Sequence, residues 1–70
     1  MHRQPVRSSN IKSVGYDPAT QTMEVEFVSG GVHQYAGVPA AKHEAMLKAP
    51  SIGKYFHREV RRSHKSKPVA

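Results

Sequence analysis

The stretch "TMEVEFV", residues 22–28, constrains the fold more than any other. Met23, Val25 and Phe27 alternate with Glu24 and Glu26, and period-two alternation marks a strand with one apolar and one wet face. The "SGG" that follows closes a hairpin. A two-residue turn at Ser29-Gly30 pairs Phe27 with Val32, Glu26 with His33, Val25 with Gln34 and Glu24 with Tyr35. Paired residues share a face. This register therefore sends Val32 to the core with Met23, Val25 and Phe27, and sends His33 and Tyr35 outward beside the glutamates. A turn one residue longer or shorter swaps the faces and buries both rings, and the Gly30-Gly31 pair permits it. The two-residue turn is the expected register because it keeps both glutamates wet.

Upstream, "NIKSVGY" is a short strand. Val14 and Tyr16 alternate, and a bulge between Ile11 and Val14 would bring Ile11 onto their face. "DPATQT" reads as a turn, with Pro18 presetting its backbone and Asp17 accepting from nearby amides. Downstream, "VPAAKHEAMLKAPS" reads as a helix, with Pro39 at its first position and Pro50 beyond its end. His43, Met46 and Leu47 form a stripe that can lie on a sheet. Ser51 resembles the N-cap of a second short helix, in which Ile52, Tyr55, Phe56 and Val60 recur near helical spacing. The expected fold is α+β: a three-stranded antiparallel meander followed by two short helices packed on one face, in the order β-β-β-α-α. Met23, Val25, Phe27, Val32, Met46, Leu47 and Phe56 are the expected core, with Tyr55 beside Phe56.

Seventy residues make one domain at most, and a domain of this size buries only about 60% of its unfolded surface, with little room for an enclosed active site. The net charge of +6 is unevenly spread. Residues 1–12 sum to +3, residues 13–57 to −1 and residues 58–70 to +4. The near-neutral middle reads as the folded body: a single domain over residues 10–62, with a flexible basic arm at 1–9 and a frayed basic tail at 63–70. Basic ends suggest an anionic partner, of which nucleic acid is the commonest. Cysteine is absent, which fits a reducing compartment and a cytoplasmic location. No secretory or membrane-spanning segment is evident, so no membrane partner is expected.

Three segments carry a family likeness. "SSNIKSVGYDPATQTMEVEF", the run Val32-His33-Gln34-Tyr35-Ala36-Gly37-Val38-Pro39, and "APSIGKYFHREVR" resemble the KTSC domain, a module of about sixty residues named for the C-terminus of some lysyl-tRNA synthetases and also found as a stand-alone small bacterial protein. The likeness runs from about Val6 to Arg62. It rests on "VGYD", the Glu-x-Glu strand, the "VP" helix start and "GKYF". The family's central mark is a Tyr-x-Tyr pair, of which this chain keeps Tyr35 and carries His33 in the first place. An imidazole still stacks on a base and adds a titratable nitrogen. What the resemblance implies is the fold, a bacterial setting and, through the company the domain keeps, a link to RNA.

No catalytic constellation is present. Glu24 and Glu26 share a strand face but read as solvated positions. The five histidines lack metal-ligand spacing, no serine sits in a nucleophile elbow, and "SGG" does not open a helix. The chain is therefore expected to be no enzyme, with no metal, no cofactor and no small-molecule substrate. The expected function is non-catalytic, weak binding of RNA through a basic C-terminal helix carrying Arg58, Arg61, Arg62 and Lys65, which supply phosphate contacts. His33 and Tyr35 would be a stacking surface on the sheet, although Glu24 and Glu26 beside them would repel phosphates. The alternative is a protein-protein interaction module using that exposed sheet face around His33 and Tyr35.

Overall fold

The computed structural model describes residues 1–69. Five strands form one antiparallel sheet in simple chain order: β1 (Arg3–Pro5), β2 (Ile11–Asp17), β3 (Thr22–Phe27), β4 (Val32–Tyr35) and β5 (Ser66–Pro68). Between β4 and β5 lie α1 (Ala40–Lys48) and α2 (Ile52–Tyr55), and α2 continues into a wide π-helical segment (Phe56–Arg61). The α+β class and the three-strand meander stand, and the sheet gains a strand at each edge. The segments expected as a loose arm and a frayed tail contribute β1 and β5, paired to β2 and β4. Neither shows hydrophobic alternation, because each is a three-residue edge strand whose side chains are mostly exposed.

The bulge in β2 is present. Ile11 pairs with Phe27 and Ser13 with Glu26, so the register shifts between them. Ile11, Val14 and Tyr16 thereby share one face with Phe27, Val25 and Met23. The Asp17 turn is also as expected, with the Ala19 amide donating to Asp17 Oδ1 at 3.0 Å. Ser51 caps the second helix by accepting from the Lys54 amide at 3.2 Å. Pro39 stands one place earlier than expected, as the N-cap of α1, where its carbonyl accepts from the Lys42 and His43 amides.

The hairpin register is the main correction. Met23 pairs with Tyr35, Glu24 with Gln34, Val25 with His33 and Glu26 with Val32. The Phe27 amide donates to Gly31 O at 2.8 Å and the Gly30 amide to Phe27 O at 2.9 Å. The loop is thus Val28-Ser29-Gly30, one residue longer than expected, and Gly30 takes φ 111°, a left-handed conformation that closes a three-residue hairpin. The faces swap accordingly. Tyr35 is 4% exposed and His33 half-buried, both on the helix-covered face, while Val32 is buried on the opposite face.

The core lies between the sheet and the helices, built on Ile11, Val14, Met23, Val25, Tyr35, Val38, Met46, Phe56 and Val60. Phe27 and Tyr55 pack against it half-buried. Leu47 is not core: it is 39% exposed. Helix α1 presents His43 and Met46 inward, which turns the next position away. His43 stacks flat on Tyr16 with centroids 4.6 Å apart, and the Tyr16 hydroxyl donates to Val38 O, pinning the start of α1 to β2. Burial holds His43 below its ordinary pKa, against a weaker upward pull from Glu44. The last helix departs from the expected α geometry. Its widened turn keeps Phe56 and Val60, four residues apart, both fully buried. Lys42 ties this end to α1, its Nζ donating to Glu59 O at 2.9 Å and thereby satisfying a carbonyl near the helix end.

Candidate nucleic-acid interface

The one-residue register shift moves His33 and Tyr35 off the face that carries Glu24 and Glu26. On the sheet face away from the helices, Glu24 is 5% exposed rather than solvated. Arg3 pairs with it directly, and Gln34 Nε2 donates to its Oε1 at 2.9 Å. Ser13 Oγ donates to Glu26 Oε1 at 2.8 Å, and Arg3 Nε donates to Ser13 Oγ at 3.1 Å. The Gln34 bond and the Arg3 guanidinium hold the Glu24 carboxyl below its usual range, overcoming the opposing effect of burial. β1 can lie this close because position 15 is glycine: a Cβ there would stand 2.6 Å from His2 O. Both carboxylates are therefore engaged by side chains of their own face.

The helix-covered face carries a cleft of about 790 Å³. Phe27, Tyr35 and Phe56 form its floor, with edge-to-face contacts of Phe56 to Phe27 at 5.6 Å and to Tyr35 at 5.1 Å. His33 stands on one wall, edge-on to Phe27 at 5.8 Å. His57 and Arg61 from the π-helical segment form the other wall. Val28, at the hairpin tip, is 59% exposed on the rim, and its amide donates to Asn10 O at 2.9 Å. Burial pushes the Tyr35 phenol above its ordinary pKa, against the pull of the Arg61 charge and the Ser66 side chain. Among the described residues, no carboxylate lines this cleft.

Of the residues expected to bind nucleic acid, the structure brings His33, Tyr35 and Arg61 around one cleft. Arg61 also belongs to a basic strip with Arg58, Arg62 and Lys54 on the outer side of the helix. Arg58 is held there by Glu59, Nε to Oε2 at 2.9 Å, and lies over the Tyr55 ring at 5.5 Å. Among the described residues neither Arg61 nor Arg62 pairs with a carboxylate. Lys65 does not join them. The helix has ended before it, and Lys65 lines a separate depression with Gln34 and Lys67. Nor is there an exposed pair of sheet rings for a protein partner, since Tyr35 is buried in the core. Sequence reasoning missed the cleft role of His57. Its signal was the spacing of four to Arg61 on one helix face: Arg61 Nη1 stands 3.3 Å from His57 Nδ1. Because arginine only donates, Nδ1 accepts, which leaves the ring N–H of the neutral imidazole on Nε2.

Comparison with known proteins agrees with this architecture. The KTSC domain family model matches residues 7–64. A crystal structure of a KTSC domain protein from Yersinia pestis superposes with a TM-score of 0.95 at 36% identity, covering 99% of this chain and 97% of that one. An uncharacterised protein from Stutzerimonas stutzeri is 41% identical over 64 residues, covering 91% of this chain and 90% of that protein. The lysine--tRNA ligase of a Nostoc species is 43% identical over 53 residues, which are 76% of this chain and 9% of that enzyme. Among the described residues, no helix is long and apolar enough to cross a membrane.

Proposed function

This chain is a member of the KTSC domain family, and on that premise we propose that it is a non-catalytic domain that binds single-stranded RNA through the basic surface of its last helix. The observation that carries the reading is the segregation of charge. Glu24 and Glu26 lie on the far face of the sheet and are engaged by Arg3 and Ser13. The last helix holds one carboxylate, Glu59, paired with Arg58, and leaves Arg61 and Arg62 without carboxylate partners among the described residues. The repulsion that the expected register placed beside His33 is thereby removed. The presence of a similar stretch in a lysine--tRNA ligase supports an RNA partner. Arg61, Arg62 and Lys54 supply the phosphate contacts, with Arg58 held beside them by Glu59 and Arg61 nearest the aromatic cleft.

Fluorescence anisotropy with a single-stranded RNA oligomer, from low to physiological salt, tests this. Neutralising about three to five phosphates gives a log–log salt slope of roughly −2 to −3.5 on a single strand. Changing Arg61 and Arg62 together to glutamate weakens binding to all sequences and flattens that slope. No detectable binding at low salt, where a +6 protein has every electrostatic advantage, would end the RNA reading and put a protein partner in front.

A further inference from the structure

Resting on the RNA reading, we propose that the cleft between the β3–β4 hairpin and the last helix is a subsite for one unpaired nucleotide of the bound strand, whose base lies against His33 and whose phosphate meets Arg61.

Shape is the first support. The cleft is a groove of about 790 Å³, open to solvent, with room for one nucleotide lying along it. Its chemistry suits a base. The floor is an interlocked aromatic cluster, Phe27, Tyr35 and Phe56, and His33 is fixed edge-on to that cluster at 5.8 Å. A base recognised in a single strand is splayed out and stacked on such a ring. The rim supplies hydrogen-bonding side chains from Asn10, Ser29 and Ser66. Electrostatics point the same way. Among the described residues no carboxylate lines the cleft, and Arg61 lines both the cleft and the outer arginine strip. A strand whose phosphates follow the strip therefore passes the mouth of the cleft at Arg61. The Arg61–His57 contact holds the His57 Nδ1 side and leaves Nε2–H, in the neutral ring, to donate to an acceptor of the same nucleotide.

The test separates this subsite from the backbone grip. The full chain is titrated with an eight-residue uridine RNA and with an oligomer of the same length whose sugars lack bases. The uridine oligomer should bind about 5- to 150-fold more tightly, the worth of stacking one base. His33→Ala should remove most of that difference and His33→Phe should keep it. In the wild-type protein, the ring resonances of His33 and Phe27 should shift with the uridine oligomer and not with the abasic one, a readout that does not depend on any variant folding. Equal, salt-dependent binding of both oligomers would overturn the nucleotide subsite and leave the phosphate reading standing. Failure of both to bind would overturn the two together.

Discussion

The two faces of the sheet use the same kinds of residue in opposite ways. On the far face, Arg3, Ser13, Gln34, Glu24 and Glu26 satisfy one another at hydrogen-bond distance. On the near face, Arg61 contacts the His57 ring and, among the described residues, pairs with no carboxylate. A charge that is internally compensated contributes to folding and has little left for a partner. A charge beside an aromatic cleft, without a compensating carboxylate, contributes little to stability and keeps its attraction for an anion. One residue in the hairpin loop decides which side chains fall on which face. Register thus decides which neighbours a charge has: it gives Glu24 the Gln34 side chain in place of the Tyr35 ring.

The largest expected effect comes from the shared floor of the near face. Phe56 is fully buried and touches both Phe27 and Tyr35. Truncation to alanine should cost about 3–5 kcal/mol, enough to unfold a domain of this size. Urea denaturation followed by circular dichroism measures it. A Phe56→Ala protein with a near wild-type midpoint would remove the aromatic floor from the account of both core and cleft.

Next comes the compensated face. Arg3→Ala leaves the buried Glu24 carboxylate with Gln34 alone and should destabilise by about 1–3 kcal/mol. Its effect on RNA affinity should be small. Arg61→Ala should do the reverse: stability within about 0.5 kcal/mol, affinity clearly reduced. If Arg3→Ala lowered affinity as much as Arg61→Ala, the division of labour between the faces would be wrong.

Acid should probe the same face. Glu24 titrates below its ordinary value of 4.5 in the folded protein. Its contribution is therefore fully present above about pH 4.5 and is lost as pH falls through the lowered value. His43 is also depressed, from 6.5. The folded state binds fewer protons than the unfolded one below that pH, so stability begins to fall there first. Thermal midpoints across pH 7 to 3 should decline in these two stages. In Tyr16→Leu, which removes the ring stacked on His43, the upper stage should shrink while the lower one persists. A midpoint that rises between pH 7 and 5 would contradict the His43 shift, and one that rises below pH 4.5 the Glu24 shift.

What was legible in the sequence follows the range of the interactions involved. The alternation at 23–27, the Ile11–Val14 bulge and the Ser51 cap each depend on residues a few positions apart, and each is present. The register was not legible because Gly30 and Gly31 can both serve a turn. The choice depends on Gly30 taking the left-handed conformation, which two adjacent glycines do not distinguish. The strands β1 and β5 were hidden for a different reason. Their backbones are templated by the edges of β2 and β4, so their side chains need no apolar pattern. The cleft is assembled from the Asn10 loop, the hairpin tip, His33, the His57–Arg61 pair and Ser66, and only topology brings those segments together. Arg61 was legible as basic and exposed; its position at the mouth of an aromatic cleft was not.

The smallest effect separates the ring of Tyr35 from its hydroxyl. The ring belongs to the core and the hydroxyl end reaches the cleft near Ser66 and Arg61. Tyr35→Phe keeps the packing, so it should change stability at neutral pH by about 1 kcal/mol or less. The difference should appear in alkali. Burial raises the Tyr35 phenol above 10.0, so the folded state holds its proton where the unfolded state has released it. Stability is then at full value below about pH 10 and declines as pH rises through the raised value. Tyr35→Phe should lose that component of the alkaline decline, measured as the change in thermal midpoint between pH 9 and 11. Tyr16 and Tyr55 remain in the variant, so their contributions cancel in the comparison. An unchanged alkaline decline would mean that the hydroxyl is hydrated in the folded protein, and that the cleft floor is wetter than its aromatic contacts indicate.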